Sequence, residues 1–130
     1  MYLLDSDILV FLKRDRYHMQ ERVNQVGLYN CVLSEISLAE LYVGAYKMGD
    51  EKNLLVVDML TSLFTVVPIT AALKTYSQLR AQLEGGGKRL EDMDLFIAAT
   101  ALANDYTLVT HNTRHFSRIP GLKIEDWVEE

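Results

Sequence analysis

The feature that most limits what this chain can fold into is its opening run, Tyr2-Leu3-Leu4-Asp5-Ser6-Asp7-Ile8-Leu9. An apolar stretch breaks at Asp-Ser-Asp and then resumes, which is the pattern of a buried parallel strand that ends in a carboxylate and passes directly into a helix beginning on Ser6 or Asp7. Such a strand delivers Asp5 to the carboxyl edge of a sheet. In open α/β sheets that edge, at the point where the strand order reverses, is where ligands bind. Asp5 and Asp7 are equally well explained as helix caps, since Asp and Ser are preferred there. The choice turns on whether the rest of the chain brings further acids to strand ends and helix starts.

The pattern downstream predicts that it does. Helices are expected over 8 to about 13 and over 17–26, the second closed by Gly27 as a C-cap. A short strand follows over 30–33, and then Ser34-Glu35-Ile36-Ser37-Leu38-Ala39-Glu40-Leu41-Tyr42-Val43-Gly44-Ala45-Tyr46, whose apolar positions 38, 41, 42, 45 and 46 keep the helical period. Ser37 and Glu40 have the spacing of a capping box, which by itself accounts for Glu40. An amphipathic helix is expected over 51–64, a strand over 65–69 that Pro68 brings to a close, and a helix over 71–83 capped by Thr70. Gly85-Gly86-Gly87 reads as a loop. Asp92-Met93-Asp94 opens a helix to Ala103 whose small apolar surface on all sides suits burial against a sheet. A strand at 107–110, an exit loop at 111–116 and a last short strand at 122–124 complete the chain. Strands alternating with helices imply a parallel sheet with helices on both faces, joined by right-handed crossovers.

At 130 residues, the expectation is a single domain over 1–130 with room for a sizeable core. Charged or polar residues interrupt every apolar run before the ~18 residues of a membrane span, and the N-terminus lacks the basic region of a signal peptide. The expected location is therefore the cytoplasm, with no membrane partner. Cys31, the only cysteine, sits in an apolar run and reads as a buried strand thiol. The net charge of −5 argues against general affinity for nucleic acid, although it leaves room for a local site. The bases cluster as Lys13, Arg14 and Arg16, as Lys88 and Arg89, and as Arg114, His115 and Arg118. Each cluster lies near one of the acids, as a basic rim around an acidic pocket requires; each is also explained as a solvated face.

If Asp5, Glu40 and Asp94 converge at the sheet edge, their carboxylates repel one another and some stay protonated unless a cation sits among them. Mg²⁺ or Mn²⁺, which take oxygen ligands, suit such a set. Zinc suits it less, since the three His and one Cys show no ligand spacing.

Four stretches now carry a resemblance. They are Tyr2 to Leu9; Ile36-Ser37-Leu38-Ala39-Glu40-Leu41-Tyr42-Val43-Gly44-Ala45; Asp94-Leu95-Phe96-Ile97-Ala98-Ala99; and Leu108-Val109-Thr110-His111-Asn112-Thr113-Arg114-His115-Phe116, followed by Ile119-Pro120-Gly121-Leu122. In this order and register the chain resembles the PIN-domain ribonucleases, and among them the VapC-type toxins of bacterial toxin–antitoxin pairs. The resemblance implies a three-layer α/β fold with a central parallel sheet flanked by helices, and a Mg²⁺- or Mn²⁺-dependent endoribonuclease. It puts Asp5, Glu40 and Asp94 on the family's metal-binding acids and Ser6 on the Thr that supports the first of them. Asp7 departs from the usual Asn, and Asn112 stands where many relatives carry an acid. Ser6 and Asn112 are expected to support the acids by hydrogen bonds, and Arg14, Lys88 and Arg114 to rim an RNA groove. His115 is weighed as a further pocket residue against the ordinary reading of a surface loop histidine. The implied partners are RNA, a VapB-type antitoxin whose tail fills that groove, and a second copy in a homodimer. Tyr42, Tyr46, Met48, Leu54, Leu55 and Met59 form a contact surface if they are exposed and core if they are not.

Two other readings remain open at this point. Asp5-Ser6-Asp7 also looks like the Asp-x-Asp opening of haloacid-dehalogenase-type phosphatases, with Asp5 as nucleophile, although the chain is short for them and shows no convincing Lys motif. A non-enzymatic Mg²⁺-binding scaffold or receiver-like domain would use the same acidic pocket.

Overall fold

The structure, a computed structural model, describes residues 1–83 and 90–129. Five parallel strands form one sheet: β1 (Tyr2–Leu4), β2 (Cys31–Ser34), β3 (Thr65–Val67), β4 (Thr107–Val109) and β5 (Ile124–Glu125). Their order is β3-β2-β1-β4-β5. The chain therefore builds outward from β1 in one direction and, from β4 on, in the other. The order reverses between β1 and β4, so the crevice of a doubly wound sheet falls at the ends of these two strands. The helices are α1 (Ser6–Arg14), α2 (Met19–Val26), α3 (Glu35–Met48), α4 (Glu51–Leu63), α5 (Leu73–Leu83), α6 (Asp92–Ala103) and the short α7 (Thr113–Phe116).

The strands are continuous apolar runs because both faces of the sheet are covered. Alternation at period two sends Leu4, Leu33 and Val109 into one core with Ile8, Leu9, Val57, Leu60 and Trp127. Leu3, Val32 and Leu108 enter the other core, with Ile97, Ala98 and Phe116. Each fully buried Leu or Ile contributes roughly 1.5–3 kcal/mol of hydrophobic stabilisation. Helix α6 lies within the second core with Leu95, Ile97, Ala98, Ala99 and Ala101 all at 0 % exposure, as its all-round apolar sequence requires. Cys31 is buried in β2, and burial pushes its thiol up to about 11, which makes it a core residue rather than a nucleophile.

Several local expectations are corrected. Ser37 does not cap α3: Ser34 does, its hydroxyl accepting from Ile36 N at 2.9 Å, and the helix starts before Ser37. The Ser37–Glu40 pair therefore lies inside the helix, with the Ser37 hydroxyl buried and making no capping bond, and the capping-box account of Glu40 falls away. The expected helix over 17–26 begins only at Met19, because Tyr17 and His18 adopt left-handed backbone at φ 56° and 55°. Thr70 opens a 3₁₀ turn, Thr70–Ala72, without a side-chain cap, ahead of α5. The exit loop at 111–116 contains α7, and the last strand is Ile124–Glu125. The triple-glycine loop, Lys88 and Arg89 lie outside the described residues.

Candidate active site

The pocket grows from strand register. Leu4 pairs with Val109, so the residues that follow, Asp5 and Thr110, leave the sheet side by side. Asp5 N donates to Val109 O at 2.9 Å and so extends the ladder, while the Asp5 side chain turns back to begin α1, with Oδ1 accepting from Ser6 N at 2.8 Å. Its other oxygen accepts from the Thr110 hydroxyl at 2.9 Å. Cap and site are thus one residue: the carboxyl is tied down on both oxygens and buried at 5 % exposure.

Asp7 joins it. Its Oδ2 accepts from His111 N at 3.0 Å and lies 3.5 Å from the Thr110 hydroxyl, while its Oδ1 accepts from Ile8 N at 2.7 Å. Asp94, in the first turn of α6, has Oδ2 3.0 Å from His115 Nε2. An ionised carboxylate can only accept, so in that pair the imidazole nitrogen is the donor. Glu40, on α3, keeps one carboxyl oxygen, Oε1, buried with no hydrogen-bond partner.

The electrostatics show that these acids share one space. Burial first, then the negative charge of Asp7 and that of Asp94, push Asp5 from 3.8 up to about 7, against the opposing bonds from Thr110 and Ser6. Asp7 is raised by burial, opposed by the His111 N–H. Glu40 is raised by burial and by Asp94 and Asp7, opposed by the Ser6 hydroxyl. Among the described residues, no three His, Cys, Asp or Glu groups are close enough together to cage an ion.

The structure places the other expected residues as follows. Ser6, at the start of α1, touches two of the acids, giving its N–H to Asp5 and its hydroxyl to Glu40. Asn112 is exposed and supports through its backbone, its N–H donating to Thr110 Oγ1 at 3.1 Å. Arg14 shares a cleft of about 340 Å³ with Lys13, Glu40 and Met48. Arg114 shares one of about 250 Å³ with Asn112, His115 and Arg118. Lys88 lies outside the described residues. Sequence reasoning missed Thr110 and treated Asp7 as a mere departure. The signal for Thr110 was available: it ends the β4 run as Asp5 ends β1, and adjacent parallel strands place such residues together.

Thr110 is fully buried and serves as donor to Asp5 and acceptor for Asn112 N–H. Thr110→Val preserves its shape and removes both bonds, so thermal or urea melts should show a loss of about 1–3 kcal/mol, whereas Thr110→Ser should stay near wild type. Equal melts for all three proteins would mean that the hydroxyl has no structural role.

A parallel sheet with a switch-point pocket lined by carboxylates is the architecture of the PIN domain, and the PIN domain family matches residues 2–122. Over 130 residues, 97 % of each chain, the sequence is 38 % identical to the tRNA(fMet)-specific endonuclease VapC of Salmonella typhimurium. It is 36 % identical over 132 residues, 98 % of each chain, to Ribonuclease VapC2 of Haemophilus influenzae. The fold superposes on DNA-bound VapBC from Salmonella typhimurium with a TM-score of 0.89, at 36 % identity over 97 % of each chain. The chain belongs to the PIN-domain family, in its VapC ribonuclease branch.

Proposed function

We propose that this chain is an endoribonuclease, the toxin of a VapBC-type pair, and that Asp5, Glu40 and Asp94 are its catalytic acids. The observation that carries the reading is the convergence of raised, mutually repelling carboxyls at the switch point, with Glu40 Oε1 buried and unpartnered. An all-oxygen donor set with an orphaned oxygen fits a hard divalent cation, Mg²⁺ or Mn²⁺, held by Asp5, Glu40 and Asp94. The chemistry such an ion supplies is charge neutralisation and Lewis acidity at a phosphodiester.

The protein's own groups do the rest. Ser6 N–H and the Thr110 hydroxyl fix both oxygens of Asp5, and His115 holds Asp94. Such partners fix the orientation of metal-binding carboxylates. Glu40 uses its unpartnered oxygen either to complete that set or to orient the attacking water. Arg14, which shares a cleft with Glu40, and Arg114, which shares one with His115, receive RNA phosphates in this reading, and an unpaired loop is the form of RNA whose bases such a site can read.

Tyr46, Met48, Leu55 and Met59 are each more than half exposed on α3 and α4, while Tyr42 and Leu54 are partly buried. A patch of this kind supports a protein contact, which the reading gives to a VapB-type antitoxin or a second copy. No helix among the described residues is long and apolar enough to cross a membrane, which agrees with a cytoplasmic toxin. The family match favours this reading over a phosphatase with Asp5 as nucleophile and over a scaffold.

The test is direct. The purified chain should cleave single-stranded RNA with added Mg²⁺ or Mn²⁺, stop on chelation, and leave no phosphate on Asp5. Metal binding without any RNA cleavage would favour the scaffold; a trapped aspartyl-phosphate would favour the phosphatase.

A further inference from the structure

Helix α1 ends in an unusual turn. Asp15, Tyr17 and His18 all adopt left-handed backbone, at φ 49°, 56° and 55°, and none is glycine. A side chain crowds its own backbone in that region, so such a run persists only where its surroundings impose it, and strain of this kind gathers at functional sites. Here the turn folds the Tyr17 ring back onto Phe11, edge to face, with centroids 4.9 Å apart at 84°. Phe11 meets the His111 imidazole in the same manner at 6.0 Å and 71°. The Arg16 guanidinium lies over both rings, 5.1 Å from the Tyr17 centroid and 6.0 Å from that of Phe11, and its Nη2 donates to the Tyr17 hydroxyl at 3.4 Å.

This platform is continuous with the acid pocket. Phe11 stands one helical turn after Asp7 on α1, and His111 N donates to Asp7. Of the acids beside this platform, Asp126 pairs with His111 Nδ1 at 2.9 Å, and Asp7 accepts from the Ile8 and His111 N–H groups and lies 3.5 Å from the Thr110 hydroxyl. Arg16 is exposed, and among the described residues no carboxylate forms an ion pair with it. A guanidinium braced by aromatic rings on one side offers its other face to a flat ring and its N–H edge to phosphate. Bracing also removes much of the ordering cost of binding. In a chain of net charge −5, it supplies local attraction for an anion beside a pocket that repels one.

We infer that Arg16, Tyr17 and His111 form a subsite for one unpaired nucleotide next to the scissile phosphate, its base stacked on the braced guanidinium and aromatic surface and its phosphate held by Arg16. This inference rests on the nuclease reading. It adds a determinant of which RNA is cut, since unstacked bases are recognised by stacking on aromatic and Arg planes.

The probe is a short single-stranded RNA carrying one 2-aminopurine, titrated into the full chain under chelation so that it stays intact. The wild type should quench the fluorescence. Arg16→Ala and Tyr17→Leu should weaken binding roughly tenfold and abolish the quench, while Tyr17→Phe restores both and Arg16→Lys does not restore the quench. With metal present, the same losses should appear as a raised KM. Wild-type affinity and quench in both Arg16→Ala and Tyr17→Leu overturn the subsite. So does a pattern in which these changes spare RNA and instead release an antitoxin peptide. If subsite variants behave as wild type while Asp94→Asn no longer cleaves, the subsite fails and the nuclease reading stands; a wild-type chain that neither binds nor cleaves RNA removes both.

Discussion

Asp5→Asn should give a protein that no longer cleaves RNA and yet melts at a higher temperature than the wild type at neutral pH and above. Asp5 is held by Ser6 and Thr110 yet sits at about 7 because burial and Asp7 oppose its charge. Ionising it in the folded state at high pH therefore costs up to about 4 kcal/mol relative to an unfolded chain, taking 1.36 kcal/mol for each unit of displacement. Asn keeps the acceptor for Ser6 N–H and puts an NH₂ where Asp5 Oδ2 accepted from Thr110; that amide donates to the Thr110 hydroxyl, which turns to accept, or to Asp7, and the repulsion between Asp5 and Asp7 is removed. Activity should fall on the order of 10²–10³-fold or more, the scale of losing one preorganised group that stabilises transition-state charge. Asp94→Asn should lose cleavage similarly. Paired melting curves and RNA cleavage assays check this; an active Asp5→Asn protein, or one that melts lower at pH 8, contradicts the pocket as described.

The metal-free protein should lose stability as pH rises from about 4 to about 8, and divalent metal should restore it only at the upper end. Asp5, Asp7 and Glu40 are all raised in the folded state. The folded chain then holds protons that the unfolded chain has released, so stability is fullest below the ordinary carboxylate range and declines until pH passes the folded value, about 7 for Asp5. That slope is opposite to the one salt-bridged carboxylates give. A cation binds the ionised form and competes with protons, so its effect grows as they leave. At a hundred times Kd, Mn²⁺ adds about 2.7 kcal/mol, a rise in Tm on the order of 10 °C for a domain of this size. Melts at pH 5 and pH 8, with and without Mn²⁺, would show it; identical melts in all four conditions would mean that the acids do not share one ion.

Where sequence reading succeeded, it did so through features that are local or periodic. The break at Asp5 located the end of β1, and the apolar runs located the parallel strands. It failed where a tertiary partner decided between equal local options. Ser34 and Ser37 can each cap a helix, and only the end of β2 selects Ser34. Tyr17 and His18 continue a plausible helical pattern, but the packing of Tyr17 on Phe11 holds them out of it. His115 has no local signature as a pocket residue; α7 turns it toward Asp94, across a gap of 21 residues. Asp7 looked like a simple exchange for Asn until the His111 N–H that it accepts came into view.

The bond from Thr110 to Asp5 joins positions 105 apart, so β1 is made well before the β4 neighbour that completes its pocket. A segment that stops before residue 107 lacks the neighbouring strand of β1, the hydroxyl that steadies Asp5 and the histidine that aims Asp94. The pocket around Asp5 therefore closes only through a long-range strand pairing, a kind of contact whose loop-closure cost makes it slow to form.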